Sequence, residues 1–441
     1  MRLWFVATTA LGVVAAGSWA AGSWAVAQSQ APVRLGPPPG GTVSYRIKAD
    51  TMSGFGAGMM NARGGLGMIG AMMRDGMSDD ASNRSLWLEL GSNRTPAGAP
   101  TAEHLPPAGL GLGPSIPLVT PRPLVQGRPE PGDERDPERP EGRLMIFWGC
   151  GAATRPGQPV VIDFAKMYDQ LSEQMKSMAR MRSRQGMGGM PGMGGMGAMA
   201  GMGAGSAGSA GRGRYATIGE WPNDRMRRTV TARSSLVGDH VIKGNYSPEI
   251  RFTMAPDQDF LAPMRFTQSG KTPAGAMALA WNPVPNALGY FLTAVGGGED
   301  KTMVIWTSSE VQDGQQPDDF ASADQVARLV QAKTVLAPAT TQCAIPTEAA
   351  RRMGQGGVLS AIAYGPTHSF SYPPRPPKAL PTWAPDWVTR VATRSTYFTF
   401  LGMRDQMRED GDPTGGEGAG EGGARPKPKK KRNPFGLPMP F

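Results

Sequence analysis

LAWNPVPNALGYFLTAVG, residues 279–296, decides the fold class of this chain. Met277, Leu279 and Trp281 alternate with Ala278 and Ala280, the period-two pattern of a strand with one buried face. NPVPNA then brings residues that preset φ or tolerate left-handed backbone, and predicts a turn. Leu288 to Val295 is apolar, aromatic and β-branched and runs into glycines, so it reads as the partner strand.

The same signals recur on both sides of this stretch. Downstream, strands are expected at Lys301–Thr307, Gln342–Ile345, Val358–Tyr364, His368–Tyr372 and Trp387–Leu401. Ser322 and Gln325 form a capping box for a helix over Ala323–Lys333. Upstream, Val43, Tyr45 and Ile47 face one way and Ser44, Arg46 and Lys48 the other. Further strands are expected at Ser85–Leu90, Arg143–Cys150, Gln158–Phe164, Thr229–Leu236, His240–Tyr246 and Glu249–Met254. Met167, Leu171, Met175, Met178 and Arg182 fall at helical spacing within Asp163–Arg184. The expected class is therefore mainly β. Two β-sandwich-like domains, residues 42–265 and 266–403, carry long disordered Gly/Met/Pro-rich insertions at 51–82, 96–142 and 165–225. A leader spans 28–41 and a disordered basic tail 404–441.

Residues 268 to 375 resemble a fibronectin type III or other immunoglobulin-like module. The resemblance rests on LAWNPVPNALGYFLTAVG, similar to a Trp-bearing strand, proline turn and Tyr-bearing strand, and on LSAIAYGP (359–366), similar to a penultimate strand with its tyrosine, Tyr364. The helix before Gln342 departs from the pattern. The resemblance implies a binding or spacing module and no chemistry. The remainder resembles exported proteins of GC-rich bacteria, which implies no activity.

Residues 1–27 read as a signal peptide. Arg2 precedes the apolar run Leu3–Ala16, and Ala25-Val26-Ala27 offers the small residues of a cleavage site, with Gln28 next. A second site follows Ala20, and an uncleaved anchor is the alternative. No cysteine lies near the cut, and no later segment is apolar enough to span a bilayer. An exported protein of the periplasm or cell envelope is expected, with no integral membrane span after cleavage.

The 61 glycines and 42 prolines approach a quarter of the 441 residues, near the range of low-complexity sequence. The net charge of +10 is uneven: Arg425, Lys427, Lys429, Lys430, Lys431 and Arg432 crowd the tail, and a second basic block runs from Lys176 to Arg233. Partners are expected among envelope proteins, polysaccharide or anionic lipid, not nucleic acid; solvated segments are the bland alternative. Cys150 and Cys343, expected in different domains, are either bridged in an oxidising compartment or free, with Cys150 a small core residue.

Met187, Met190, Met193, Met196, Met199 and Met202 recur every third residue among Gly, Ala and one Pro. Met52, Met59, Met60, Met68, Met72, Met73 and Met77 form an earlier cluster. Thioethers are soft ligands suited to Cu(I) or Ag(I). The alternatives are an unfolded low-complexity linker and an adaptive apolar contact surface. His104, His240 and His368 stand apart with no second ligand at metal spacing, and each reads as a surface or packed residue. No GxSxG, HExxH, Walker loop or paired CxxC is present. Nothing selects a carboxylate pair for a hydrolase. Trp281, Tyr290, Trp306, Tyr364, Trp383 and Trp387 read either as core or as an exposed platform.

The expected function is a non-enzymatic envelope protein that binds or scaffolds other components. The alternatives are soft-metal binding through the Met segments and, third, a carboxylate-based hydrolase. Replacing the six ladder methionines by Leu should abolish tight Cu(I) binding, measured against a competing chelator, if the ladder handles metal. Equal competition by parent and variant would remove that alternative.

Overall fold

The structure is a computed structural model describing residues 41–55, 82–121, 139–184, 214–226, 230–297, 301–312, 317–354, 357–376, 378 and 383–401. In chain order the strands are β1 (Val43–Gly54), β2 (Ser82–Ser92), β3 (Ala102–Leu105), β4 (Ile116–Leu118), β5 (Arg143–Trp148), β6 (Val160–Asp163), β7 (Thr217–Trp221) and β8 (Gly238–Gly244). There follow β9 (Ile250–Met254), β10 (Phe266–Lys271), β11 (Met277–Trp281), β12 (Gly289–Gly297), β13 (Thr302–Thr307), β14 (Gln342–Ile345), β15 (Val358–Tyr372) and β16 (Trp387–Phe400). The helices are α1 (Phe164–Arg184), α2 (Ala323–Gln331) and α3 (Thr347–Met353). The mainly β class expected from the sequence is the class observed.

Nine strands form one sheet in the order β6-β5-β13-β12-β15-β16-β1-β2-β7. Within it β1 runs parallel to β16 and β5 parallel to β13, and the other pairs are antiparallel. Two smaller sheets, β10-β11-β14 and β4-β3-β8-β9, lie on one face of it. The first shares a core with β5, β12, β13, β15 and α3, built on Phe147, Trp281, Tyr290, Leu292 and Trp306. The second shares a core with β1, β2 and β7, built on Tyr45, Ile47, Leu88, Leu90 and Ile242. On the opposite face α2 covers Phe291, Ile362 and Tyr364. Ser322 caps α2 by accepting from the backbone N–H of Gln325.

Between the two cores the long sheet turns polar. Thr51 and Ser53 are buried there and donate to the carbonyls of Leu261 (2.7 Å) and Met264 (2.6 Å). Ser395 accepts from the Met264 N–H at 2.9 Å. The chain joining the small sheets thus crosses the large one with these three backbone groups satisfied, where a bare carbonyl would cost about 1–3 kcal/mol.

Several expectations need correction. The boundary expected at 265/266 does not divide the long sheet, because β1 pairs with β16 across it. Residues 96–142, expected to be disordered, contain β3 and β4; their prolines are accommodated because Pro117 lies in β4, an edge strand, and Leu110, Leu112, Ile116 and Leu118 are buried. The helix expected over Asp163–Arg184 is α1, but the insertion at 165–225 also contains β7, whose Ile218 and Trp221 are buried against β2. Residues 51–54, read as loop, continue β1. The described part of Thr229–Leu236 is turn and irregular chain. The two strands expected over 358–372 are one, bulged between Tyr364 and Thr367. A Cβ on Gly365 would collide with Thr393 Oγ1, so the bulge needs glycine. Residues 1–40 and 402–441, with the expected signal, leader and tail, lie outside the described residues, as do 56–81, 122–138 and 185–213 of the three expected insertions.

Cys150, just beyond β5, and Cys343 in β14 are joined by a disulfide at a sequence separation of 193. Expected in different domains, they meet because β5 joins the sheet through β13 and so shares a core with β14. Changing both to Ala should lower the urea-unfolding free energy by about 3–5 kcal/mol, since so long a closed loop restricts the unfolded chain strongly. A loss below about 1 kcal/mol would show that the bridge is dispensable.

Candidate functional site

The face of the long sheet opposite the two cores carries a polar strip, set by strand register. Tyr364, Arg394, Asp50 and Ser85 stand in one row across β15, β16, β1 and β2. Thr367, Ala392, Lys48 and Trp87 form the next row. Ser369, Arg390, Arg46 and Glu89 form the third, and Glu220 of β7 extends it. Arg46 pairs with Glu89 at 3.0 Å, and Arg390 is exposed. Arg46, Lys48, Trp87, Glu89 and Glu220 border a shallow groove.

Arg394 is the centre of the strip. Its guanidinium meets Asp50 at 3.0 Å and Asp319 at 3.1 Å. Thr396 donates its hydroxyl to Asp50 at 3.1 Å. Asp319 and Phe320 belong to a strap that follows β13 and leads into α2. The Phe320 ring lies 4.3 Å from the Arg394 guanidinium carbon and 5.7 Å from Lys48 Nζ. Trp87 meets it edge-on, with centroids 5.9 Å apart. Each cation over the ring contributes on the order of 0.5–2 kcal/mol, more as water is excluded.

Burial alone would lower the Arg394 guanidinium, but Asp50 and Asp319 outweigh it and hold it above its ordinary value. Burial pushes the Asp50 carboxyl up, and Arg394 and Thr396 draw it back. The Tyr364 hydroxyl is raised by burial, then by Asp319. Tyr364 Oη and Arg394 Nε are buried and have no hydrogen-bond partner among the described residues.

A second polar cluster lies inside the core under the four-stranded sheet. Tyr45 Oη is 3.0 Å from His104 Nδ1, and His104 Nε2 is 2.9 Å from His240 Nδ1. His240 Nε2 is 2.7 Å from the Leu236 carbonyl. A carbonyl only accepts, so His240 carries its proton on Nε2 and accepts at Nδ1. His104 then donates from Nε2, and Tyr45 donates to its Nδ1. Both rings are neutral in this chain. They are wholly buried, and His240 stacks on Phe252 at 4.8 Å. The cluster reads as a structural pin between β1, β3 and β8.

The expected sites fare differently. Met187, Met190, Met193, Met196, Met199 and Met202 lie outside the described residues, as does the earlier Met cluster apart from Met52 in β1. His104 and His240, expected apart, meet because β3 pairs with β8. His368 Nε2 has no hydrogen-bond partner among the described residues. Trp281, Tyr290, Trp306 and Trp387 are buried core and not a platform; Tyr364 is buried as well, its ring under α2 and its hydroxyl in the strip row, and Trp383 is half-buried beside Arg375. The strip was missed because its members come from distant segments, although the outward side of Arg46 and Lys48 was legible.

Among the described residues no His, Cys, Asp and Glu side chains gather in a group of three fit to hold a metal ion. No helix among them is long and apolar enough to cross a membrane. No family model, curated protein or solved structure matches this chain.

Burial holds His104 and His240 below the ordinary histidine range; for His104 its histidine partner adds to this. Unfolded histidines protonate near pH 6.5, so below that pH the unfolded chain takes up protons that the folded chain refuses. Stability present above about pH 6.5 should fall as the pH drops, by on the order of 1–2 kcal/mol per unit toward pH 5. A variant with His104→Gln and His240→Gln should show a shallower slope in urea unfolding. Equal slopes would show that the pair does not contribute.

Proposed function

We propose that this chain is an exported, non-enzymatic envelope protein that binds another envelope component through the polar strip on its long sheet. The observation that carries export is the Cys150–Cys343 disulfide, a bond that persists in oxidising compartments. It agrees with the signal peptide expected at residues 1–27. Support for a binding role comes from the strip itself. Arg46, Lys48, Trp87, Arg390 and Arg394 combine cations with an aromatic side chain on one sheet face, a composition suited to recognition. The fibronectin-like resemblance of residues 268–375 points the same way.

In fractionated native cells the mature chain should begin at Gln28, sit in the envelope fraction and resist thiol alkylation until reduced. A cytoplasmic chain retaining Met1, with both thiols free, would overturn export. For the binding surface, p-benzoylphenylalanine in place of Arg390 should cross-link to an envelope component in intact cells. The same group in place of Arg251, exposed on β9, should not. Equal or absent cross-linking at both positions would overturn the assignment of the strip.

A further inference from the structure

We propose that the strap Pro317–Ala321 is a built-in occupant of a peptide site, and that the site takes a partner segment in which a carboxylate residue directly precedes an aromatic one. This rests on the reading of the strip as a binding surface and names the chemistry of what it binds.

The strap meets the sheet in a manner that could be copied in trans. Asp319 supplies a carboxylate to the Arg394 guanidinium at 3.1 Å, and the Asp319 carbonyl accepts from the same group at 3.3 Å. Phe320 supplies a ring to Arg394, Lys48 and Trp87. All the receiving groups belong to β1, β2 and β16, whose positions are set by sheet register and not by the strap. Asp50 holds Arg394 from the sheet side, so the guanidinium stays oriented when the strap leaves. The socket is therefore preorganised for a carboxylate and an adjacent ring.

The strap leaves part of the socket unused. Tyr364 Oη and Arg394 Nε, both buried, have no hydrogen-bond partner among the described residues. Tyr364 is the direct cross-strand neighbour of Arg394. A partner with an acceptor placed between them would satisfy groups that Asp319 does not reach. The strap is short and tied at both ends: Pro317 and Ala321 are buried, and the Ala321 N–H donates to the Asp318 carbonyl at 3.1 Å.

An occupant in the same chain competes at an effective concentration in the millimolar range, so the socket should look nearly closed to a free peptide. The probe is a fluorescein-labelled peptide PDDFA, the sequence of residues 317–321, read by anisotropy. The variant with Asp319→Ala and Phe320→Ala should bind it at least tenfold more tightly than the parent protein. Adding Lys48→Met to that variant should weaken binding by about threefold or more. Peptides PNNFA and PDDLA should bind at least fivefold more weakly than PDDFA. If the double variant does not fold, Phe320→Leu keeps an apolar anchor in the turn and should still gain about threefold over the parent. Parent-like affinity in the folded variants, or equal binding of PNNFA and PDDFA, would overturn the proposal. Either failure leaves the strip's cross-linking test untouched, so the two readings fall separately.

Discussion

The structure depends on the parallel pairing of β1 with β16. These strands come from opposite ends of the described chain, and their register runs from Val43 opposite Trp387 to Gly54 opposite Phe398. Without it the β2-β1 and β15-β16 pairs would be separate ribbons, and the nine-stranded sheet would split in two. Parallel strands cannot be joined by a tight turn, so every element between them must fold within the span that β1 and β16 close. That topology makes most contacts non-local, a feature associated with slow folding.

One sheet serving two cores creates a problem at the middle, where a continuous apolar face would leave the connecting chain's backbone unsatisfied. Thr51, Ser53 and Ser395 resolve it by bonding Leu261 and Met264. The Tyr45–His104–His240 chain plays a related part inside one core. Its hydrogen bonds run in a single direction to the Leu236 carbonyl, so β1, β3 and β8 are pinned by directional contacts in addition to apolar packing. Buried polar networks of this kind stabilise only when every member is satisfied.

The opposite face follows a different rule. Alternation along β1 places Tyr45 and Ile47 inward and Arg46, Lys48 and Asp50 outward. Asp50 and Arg394 would be costly as buried charges if either stood alone, and each satisfies the other across the ladder. The strap adds a second carboxylate and a ring to the same cation. Sheet and strap therefore draw on one guanidinium, and the strip is accordingly part of the fold.

Strands with one buried face were legible in the local residue pattern. Alternation at 277–281 and at 43–48, and the β-branched run from Trp387, report side-chain period directly, and period is local. The cap at Ser322 was legible for the same reason. Strands rich in proline or bordered by glycine, such as β4 and β7, were not, because burial against a neighbour overrode weak local preference. Which strands are neighbours was decided by tertiary structure alone. The Cys150–Cys343 bridge, the meeting of His104 with His240 and the row Tyr364–Arg394–Asp50 all depend on register between segments far apart in the chain. Side-chain alternation tells each strand which face is inward, but it carries no information about which partner will complete its hydrogen bonds.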